Sequence, residues 1–191
     1  MQDLIAGLKA RDRSAFERVM SMFKTKIYNY LRMMVHDPEL AEELTQDTFV
    51  KVFFKAHTLR SDNLKAWIYT IATNLARNEF RRRQIRHWLS LDEIGEGAIA
   101  VHPSQVDNMT LESLLAGLPA KYRAPVVLKE INNFSFKEIA AMTGKPVGTV
   151  KTLVFRGKER MRAMLEKQQS TEDSLLSNEG FTRALVNGGL K

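Results

Sequence analysis

The tightest constraint on this chain lies between Phe134 and Lys167. Ser135-Phe136-Lys137-Glu138 has the form of a capping box, in which the serine oxygen accepts the amide three residues on and the glutamate reaches back. A short apolar run, Ile139, Ala140 and Met142, leads to Thr143-Gly144-Lys145-Pro146, which stops the helix. Val147 then opens a helix predicted to reach about Gln168, and from Lys145 to Lys167 seven bases stand against two acids. A capped short helix, a glycine turn and a longer basic helix make a helix-turn-helix. Ile139, Ala140, Val147 and Val150 are spaced to pack the pair together. The outer face presents Thr149, Lys151, Thr152, Phe155, Arg156 and Lys158. Cations there suit phosphate contacts, and a subset could reach base edges. An amphipathic pair with a merely solvated basic face uses the same pattern, so this segment points to DNA without requiring it.

The N-terminal half predicts a helical bundle. From Ser14 to Val35 the apolar residues Phe16, Val19, Met20, Phe23, Ile27, Leu31 and Met34 recur at steps of three and four. Asp37-Pro38 is a helix start, with an aspartate to cap free amides and a proline where no amide is needed. The helix that follows carries Leu40, Leu44, Phe49, Val52 and Phe53 as its packing stripe. Its acidic opening turns suit the positive end of a helix. His57 to Leu64 reads as a loop, with Ser61 or Asp62 available to cap a third helix from about Leu64 to Arg86. Trp67, Ile68, Ile71, Ala72 and Leu75 form the inner face of that helix, and five arginines crowd its end between Arg77 and Arg86. Trp67, Tyr69 and Trp88 could stack on bases, although Trp67 shares the packing stripe. From Ser90 to Met109 periodicity fails. Leu118-Pro119 opens a further helix, bent at Pro125 and ended by Asn132-Asn133. The expected fold is all-α, with a helical bundle over 1–88, an irregular acidic linker over 89–108, a helix-turn-helix domain over 109–169 and a C-terminal tail over 170–191.

Composition narrows the chemistry. The 191 residues include no cysteine, which removes disulfides, thiolate metal sites and thiol nucleophiles. The four histidines, His36, His57, His87 and His102, are too scattered to bind a metal, and no phosphate-binding or nucleophile-elbow glycine motif occurs. No enzymatic activity and no cofactor are expected. No apolar run is long enough to span a membrane, and the first residues lack the pattern of an export signal, so a cytoplasmic location is expected. The net charge of +7 is unevenly spread: Asp37, Glu39, Glu42, Glu43 and Asp47 fall in a stretch without bases, and Trp88 to Ala120 has none either. Such blocks suggest separate surfaces for separate partners.

Four motifs in this order carry a family resemblance. They are Asp37-Pro38-Glu39-Leu40-Ala41-Glu42-Glu43-Leu44-Thr45-Gln46-Asp47-Thr48-Phe49, Ala66-Trp67-Ile68-Tyr69-Thr70-Ile71-Ala72-Thr73-Asn74, Leu118-Pro119-Ala120-Lys121-Tyr122-Arg123 and Pro146-Val147-Gly148-Thr149-Val150-Lys151-Thr152. Together they resemble a bacterial extracytoplasmic-function sigma factor, a compact promoter-specificity subunit of RNA polymerase. The resemblance implies that Glu39, Glu42, Glu43, Gln46 and Asp47 dock on core RNA polymerase. It implies that Arg60, Ser61, Asp62 and Asn63, with Asn74, Arg77, Asn78, Arg81 and Arg82, meet the minus-ten element of promoter DNA. Thr149, Lys151, Thr152, Phe155, Arg156 and Lys158 would read the minus-thirty-five element. An anti-sigma factor is the further partner implied.

Two departures stand out. Leu59-Arg60-Ser61-Asp62-Asn63-Leu64 keeps only the arginine and the acid of the family's minus-ten loop, and Leu153 replaces a common base. Two other readings of the residues stay open: a stand-alone helix-turn-helix regulator that binds its operator as a dimer, and an anti-sigma or adaptor module.

Overall fold

The structure is a computed structural model that describes residues 2–60, 62–90 and 110–187, with side chains described except at 84, 86–90 and 170–187. Among the described residues every regular element is helical. In order they are α1 (Gln2–Lys9), α2 (Arg13–Val35), α3 (Pro38–Lys55), α4 (Leu64–Ser90), α5 (Leu111–Ala116), α6 (Ala120–Val126), α7 (Phe136–Thr143) and α8 (Val147–Asn187). No described helix is long and apolar enough to cross a membrane.

α2, α3 and α4 enclose the first core. Val19, Ile27 and Leu31 from α2 meet Ala41 and Val52 from α3 and Ile68 and Ala72 from α4, all of them buried. The α2–α3 corner follows local rules. His36 ends α2 in the left-handed region at φ 53°, and its amide donates to the Arg32 carbonyl. Asp37 then caps α3 by accepting the Leu40 amide at 3.1 Å, with Pro38 in the first turn. α1, which the apolar spacing did not single out, closes the bottom of the bundle with buried Leu4, Ile5 and Leu8. Gly7 lets it approach α2, since a Cβ there would lie 2.7 Å from the Ala15 Cβ. At the start of α4 it is Asn63, which the sequence reading does not name as a cap, that accepts the Ala66 amide at 2.9 Å. Ser61 itself, and the linker from residue 91 on, lie outside the described residues.

In the second half, Pro125 sits inside α6 and the helix widens into a π turn over Val127–Ile131 before Asn133 turns left-handed at φ 58°. The capping box at Ser135 and Glu138 is formed in both directions, and Gly144 takes the left-handed position at φ 67° after α7. Ile139, Met142, Val150 and Val154 are buried where α7 and α8 pack. Val147, the first residue of α8, is 37% exposed and takes little part in that packing. α8 continues to Asn187, well past the predicted end near Gln168, so the segment expected as a tail extends the same helix. Propagating an existing helix costs far less than nucleating one, and no proline interrupts the segment.

The two halves pack on each other, and their buried residues form one contiguous hydrophobic core. α5 and α6 lie against α2, and α7 lies along α4.

Candidate nucleic-acid interface

The helix-turn-helix carries its candidate face as the spacing predicts. Thr149, Lys151, Thr152, Phe155, Arg156 and Lys158 are all exposed on α8. Phe155 is 62% exposed, unusual for a phenylalanine on a helix whose opposite side is packed. The Lys151 ammonium lies 5.9 Å from the centre of the Phe136 ring, and the Lys158 ammonium pairs with Glu130 at 3.2 Å. Gly157 faces inward, where a Cβ would approach the Val126 Cγ2 to 2.5 Å. The outer face is therefore held by a close crossing beneath it. A rigid helix with exposed cations is what groove binding needs.

The residues assigned to a second DNA element occupy the start and the length of α4. Arg60, Asp62, Asn63, Arg77, Asn78, Arg81 and Arg82 are exposed and Asn74 is half-buried, while Ser61 is outside the described residues. They do not all face open solvent in the same sense. Arg82 pairs with Glu79 at 2.9 Å, and Glu79 also holds Arg83, whose other arm reaches Asp37 at 3.1 Å. The arginine cluster thus includes a strut from α4 to the cap of α3. That cap carboxyl is held below its usual range, chiefly by the Leu40 amide and then by Arg83.

Asn63 and Arg77 are drawn toward the other half of the molecule. The Asn63 amide donates to Glu138 Oε1 at 2.7 Å. Arg77 donates to the Thr143 carbonyl at 3.3 Å and to the Asn74 side-chain oxygen. The neighbouring Lys65 donates to the Asn132 carbonyl at 2.8 Å. Tyr69, a candidate stacking residue, is instead buried at 1% exposure, with its hydroxyl accepting from Asn132 and its ring against Phe134. Burial pushes its phenol up to about 12. Trp67 is half-buried and packed on the core, while the side chain of Trp88 is outside the description. Sequence reasoning missed Lys65, Asn132, Glu138 and Thr143 as partners of this face, because nothing local to them marks a contact across the chain.

A third surface lies on α3. Glu39, Glu42, Glu43, Gln46 and Asp47 are all exposed, while Thr45 and Thr48 turn inward and donate to the Ala41 and Leu44 carbonyls at 2.6 and 2.7 Å. Beside these acids Val50 and Phe54 are 52% and 58% exposed and border an apolar groove shared with Phe16 and Met20. The adjacent pair Phe53-Phe54 was a readable signal. Successive side chains on a helix point about 100° apart, so both cannot enter one core. Among the described residues no group of three His, Cys, Asp or Glu is placed to hold a metal.

Residues 19–86 match the family model described as Sigma-70 region 2, and residues 108–161 match the one described as Sigma-70, region 4. The chain is 30% identical over 158 residues to the RNA polymerase sigma factor CarQ of Myxococcus xanthus, covering 80% of this chain and 90% of CarQ. It is 28% identical over 176 residues to the ECF RNA polymerase sigma factor SigW of Bacillus subtilis, covering 84% of this chain and 94% of SigW. In structure it resembles the sigma factor RpoE from Bartonella quintana, solved with the anti-sigma factor NepR. The TM-score is 0.65 at 28% identity, over 79% of this chain and 96% of that one.

A region 2 bundle followed by a region 4 helix-turn-helix defines an RNA polymerase sigma factor, a non-catalytic specificity subunit. This chain belongs to the extracytoplasmic-function (ECF) family of sigma factors.

Proposed function

We propose that the chain docks on core RNA polymerase through the acidic face of α3 and directs it to promoters with two DNA-reading surfaces. Glu39, Glu42, Glu43, Gln46 and Asp47 make the polymerase contact. The loop from Arg60 to Asn63, with Asn74, Arg77, Asn78, Arg81 and Arg82, takes the melted minus-ten element. Thr149, Lys151, Thr152, Phe155, Arg156 and Lys158 read the minus-thirty-five duplex. The working units are 1–88, 89–108, 109–169 and 170–191, and the protein acts in the cytoplasm.

The observation that carries this reading is the exposure of the α3 set and the α8 set on helices whose opposite faces are buried, with opposite charge on the two. The physics agrees. Melting DNA loses stacking energy, which is offset when unpaired bases find pockets and the strand finds positive charge. A duplex element calls for a rigid helix in the major groove. Control by an anti-sigma factor is proposed from the relative RpoE, whose structure was solved with one bound.

Run-off transcription tests the reading, with the full chain and core polymerase on a promoter library and duplex binding by the chain alone in parallel. Promoter-specific transcripts that need both proteins are expected. Glu43→Lys/Asp47→Lys should lower core binding about tenfold and leave thermal unfolding unchanged, since both residues are exposed. Tight sequence-specific duplex binding without any transcript would overturn the proposal in favour of a stand-alone regulator.

A further inference from the structure

Between α6 and α8 lies an open pocket of about 420 Å³, lined by Tyr122, Arg156, Glu159, Arg160 and Ala163. Gly157 sets the close approach of the two helices, since a Cβ there would lie 3.4 Å from the Tyr122 Cβ. Two cations stand by the Tyr122 ring. The Lys121 ammonium is 5.0 Å from its centre and the Arg160 guanidinium carbon 5.1 Å. Burial would raise the Tyr122 phenol, but the charges of Lys121 and Arg160 outweigh it and hold the group below its usual value. Lys121, Arg156 and Arg160 are all exposed, and none of the ion pairs found among the described residues uses any of the three. Around this ring cations therefore outnumber the one carboxylate, that of Glu159.

The pocket continues the candidate duplex face. Thr149, Thr152, Arg156, Arg160 and Ala163 recur at steps of three and four, so they share one stripe of α8. Arg156 belongs to both regions, and Arg160 lies about 6 Å farther along the axis. A helix whose first turns enter a major groove passes the sugar-phosphate wall with its later ones. Arginine, lysine and tyrosine all donate to phosphate oxygens, and this pocket gathers the three. An acidic peptide would take the same donors, but the stripe shared with the duplex face favours the DNA backbone.

We propose that Lys121, Tyr122, Arg156 and Arg160 clamp one backbone phosphate of the promoter duplex, beyond the turns of α8 that meet base edges. This rests on the reading of α8 as the minus-thirty-five helix. The clamp positions and does not read sequence. Lys121 and Tyr122 belong to α6, so the phosphate is held from two helices and the depth and roll of α8 in the groove are fixed. Glu159 opposes the phosphate and limits how tightly DNA of any sequence is held.

Because a phosphate contact is independent of sequence, the test uses the full chain and a fluorescent random-sequence duplex, with isotherms at several salt concentrations. Lys121→Ala/Arg160→Ala should bind about tenfold more weakly at low salt, with the salt slope lower by about one. Arg18→Ala/Lys24→Ala removes the same charge from exposed sites on α2 and should leave the slope unchanged. Lys121→Arg/Arg160→Lys should keep the wild-type slope, and Glu159→Gln should tighten binding about threefold. All these side chains are exposed, so thermal unfolding should not move. A wild-type slope in Lys121→Ala/Arg160→Ala, an equal loss of slope in the α2 variant, or weaker binding by Glu159→Gln overturns the clamp. So does polyglutamate that binds the wild type and not Lys121→Ala/Arg160→Ala while the duplex slope stays unchanged, which gives the pocket to an acidic peptide. Run-off transcription with core polymerase separates the two readings. Transcripts together with an unchanged slope overturn the clamp alone. Absence of transcripts from the wild-type chain overturns the proposed function, and the salt slope on duplex DNA then decides the phosphate site by itself.

Discussion

Arg123, in the second half of the chain, donates to the carbonyl of Met34, in the first, at 2.6 Å. Its other nitrogens donate to the carbonyls of Leu115, Ala116 and Leu118, and the guanidinium lies 5.6 Å from the centre of the Phe80 ring. It is 7% exposed, and burial pulls its pKa down to about 10. One cation therefore satisfies the open end of α5 and ties it to α2. Arg123→Met should lower stability by about 3 kcal/mol in urea unfolding, since it strands several buried carbonyls at once. Arg123→Lys should recover only part of that loss, because an ammonium cannot reproduce the planar fork.

His36 supplies a pH dependence. Its ring is half-buried beside Arg123, its Nε2 is buried without a hydrogen-bond partner, and its pKa is driven down to about 4, first by burial and then by that guanidinium. The unfolded chain takes up the proton near the ordinary value of 6.5, whereas the folded one resists until about 4. The stability it contributes is therefore present above pH 6.5 and is lost as pH falls toward 4. Discounted for partial exposure, the loss should be about 1.5 kcal/mol. His36→Asn, which tolerates the left-handed backbone, should flatten urea midpoints measured across that window relative to the wild type.

Two glycines on α8 should respond in opposite directions. Nothing lies within 4 Å of a Cβ at Gly148, so Gly148→Ala should raise stability by about 0.5 kcal/mol. Gly157→Val should lower it by about 2 kcal/mol, because Val126 is branched, buried and unable to yield. Thermal midpoints of the two variants against wild type decide the matter.

On the proposed minus-thirty-five face, Lys151→Ala and Arg156→Ala should each weaken duplex binding about tenfold at low salt and reduce the salt slope by about one. Lys158→Ala should do less, since its ammonium must first leave Glu130. Binding isotherms at several salt concentrations measure both quantities, and helix content should not change.

Much of the fold was legible in order along the chain. Asp37-Pro38, the Ser135–Glu138 capping box and Gly144 each act through atoms within four residues, so their residue types were enough to place α3, α7 and the turn. The exposed faces of α3 and α8 followed from helical spacing for the same reason. Where two neighbouring residues could do the same local job, the sequence did not choose between them. Ser61, Asp62 and Asn63 can all cap a helix, and the structure uses Asn63, whose amide is also held by Glu138.

Contacts between the halves had no local signature. Nothing within a few residues of Arg123 marks it for burial, yet Met34, Leu115 and Phe80 close around it, and Tyr69 reads as a stacking residue until Phe134 covers it. Sequence by itself determined α2, α3 and α7, the caps at Asp37 and Ser135 and the charge that α3 and α8 display, because those depend on spacing and on hydrogen bonds a few residues long. Only the tertiary structure decided which charged and aromatic groups remain available to a partner. That depends on packing between segments some seventy residues apart in the chain, as with Asn63 and Glu138.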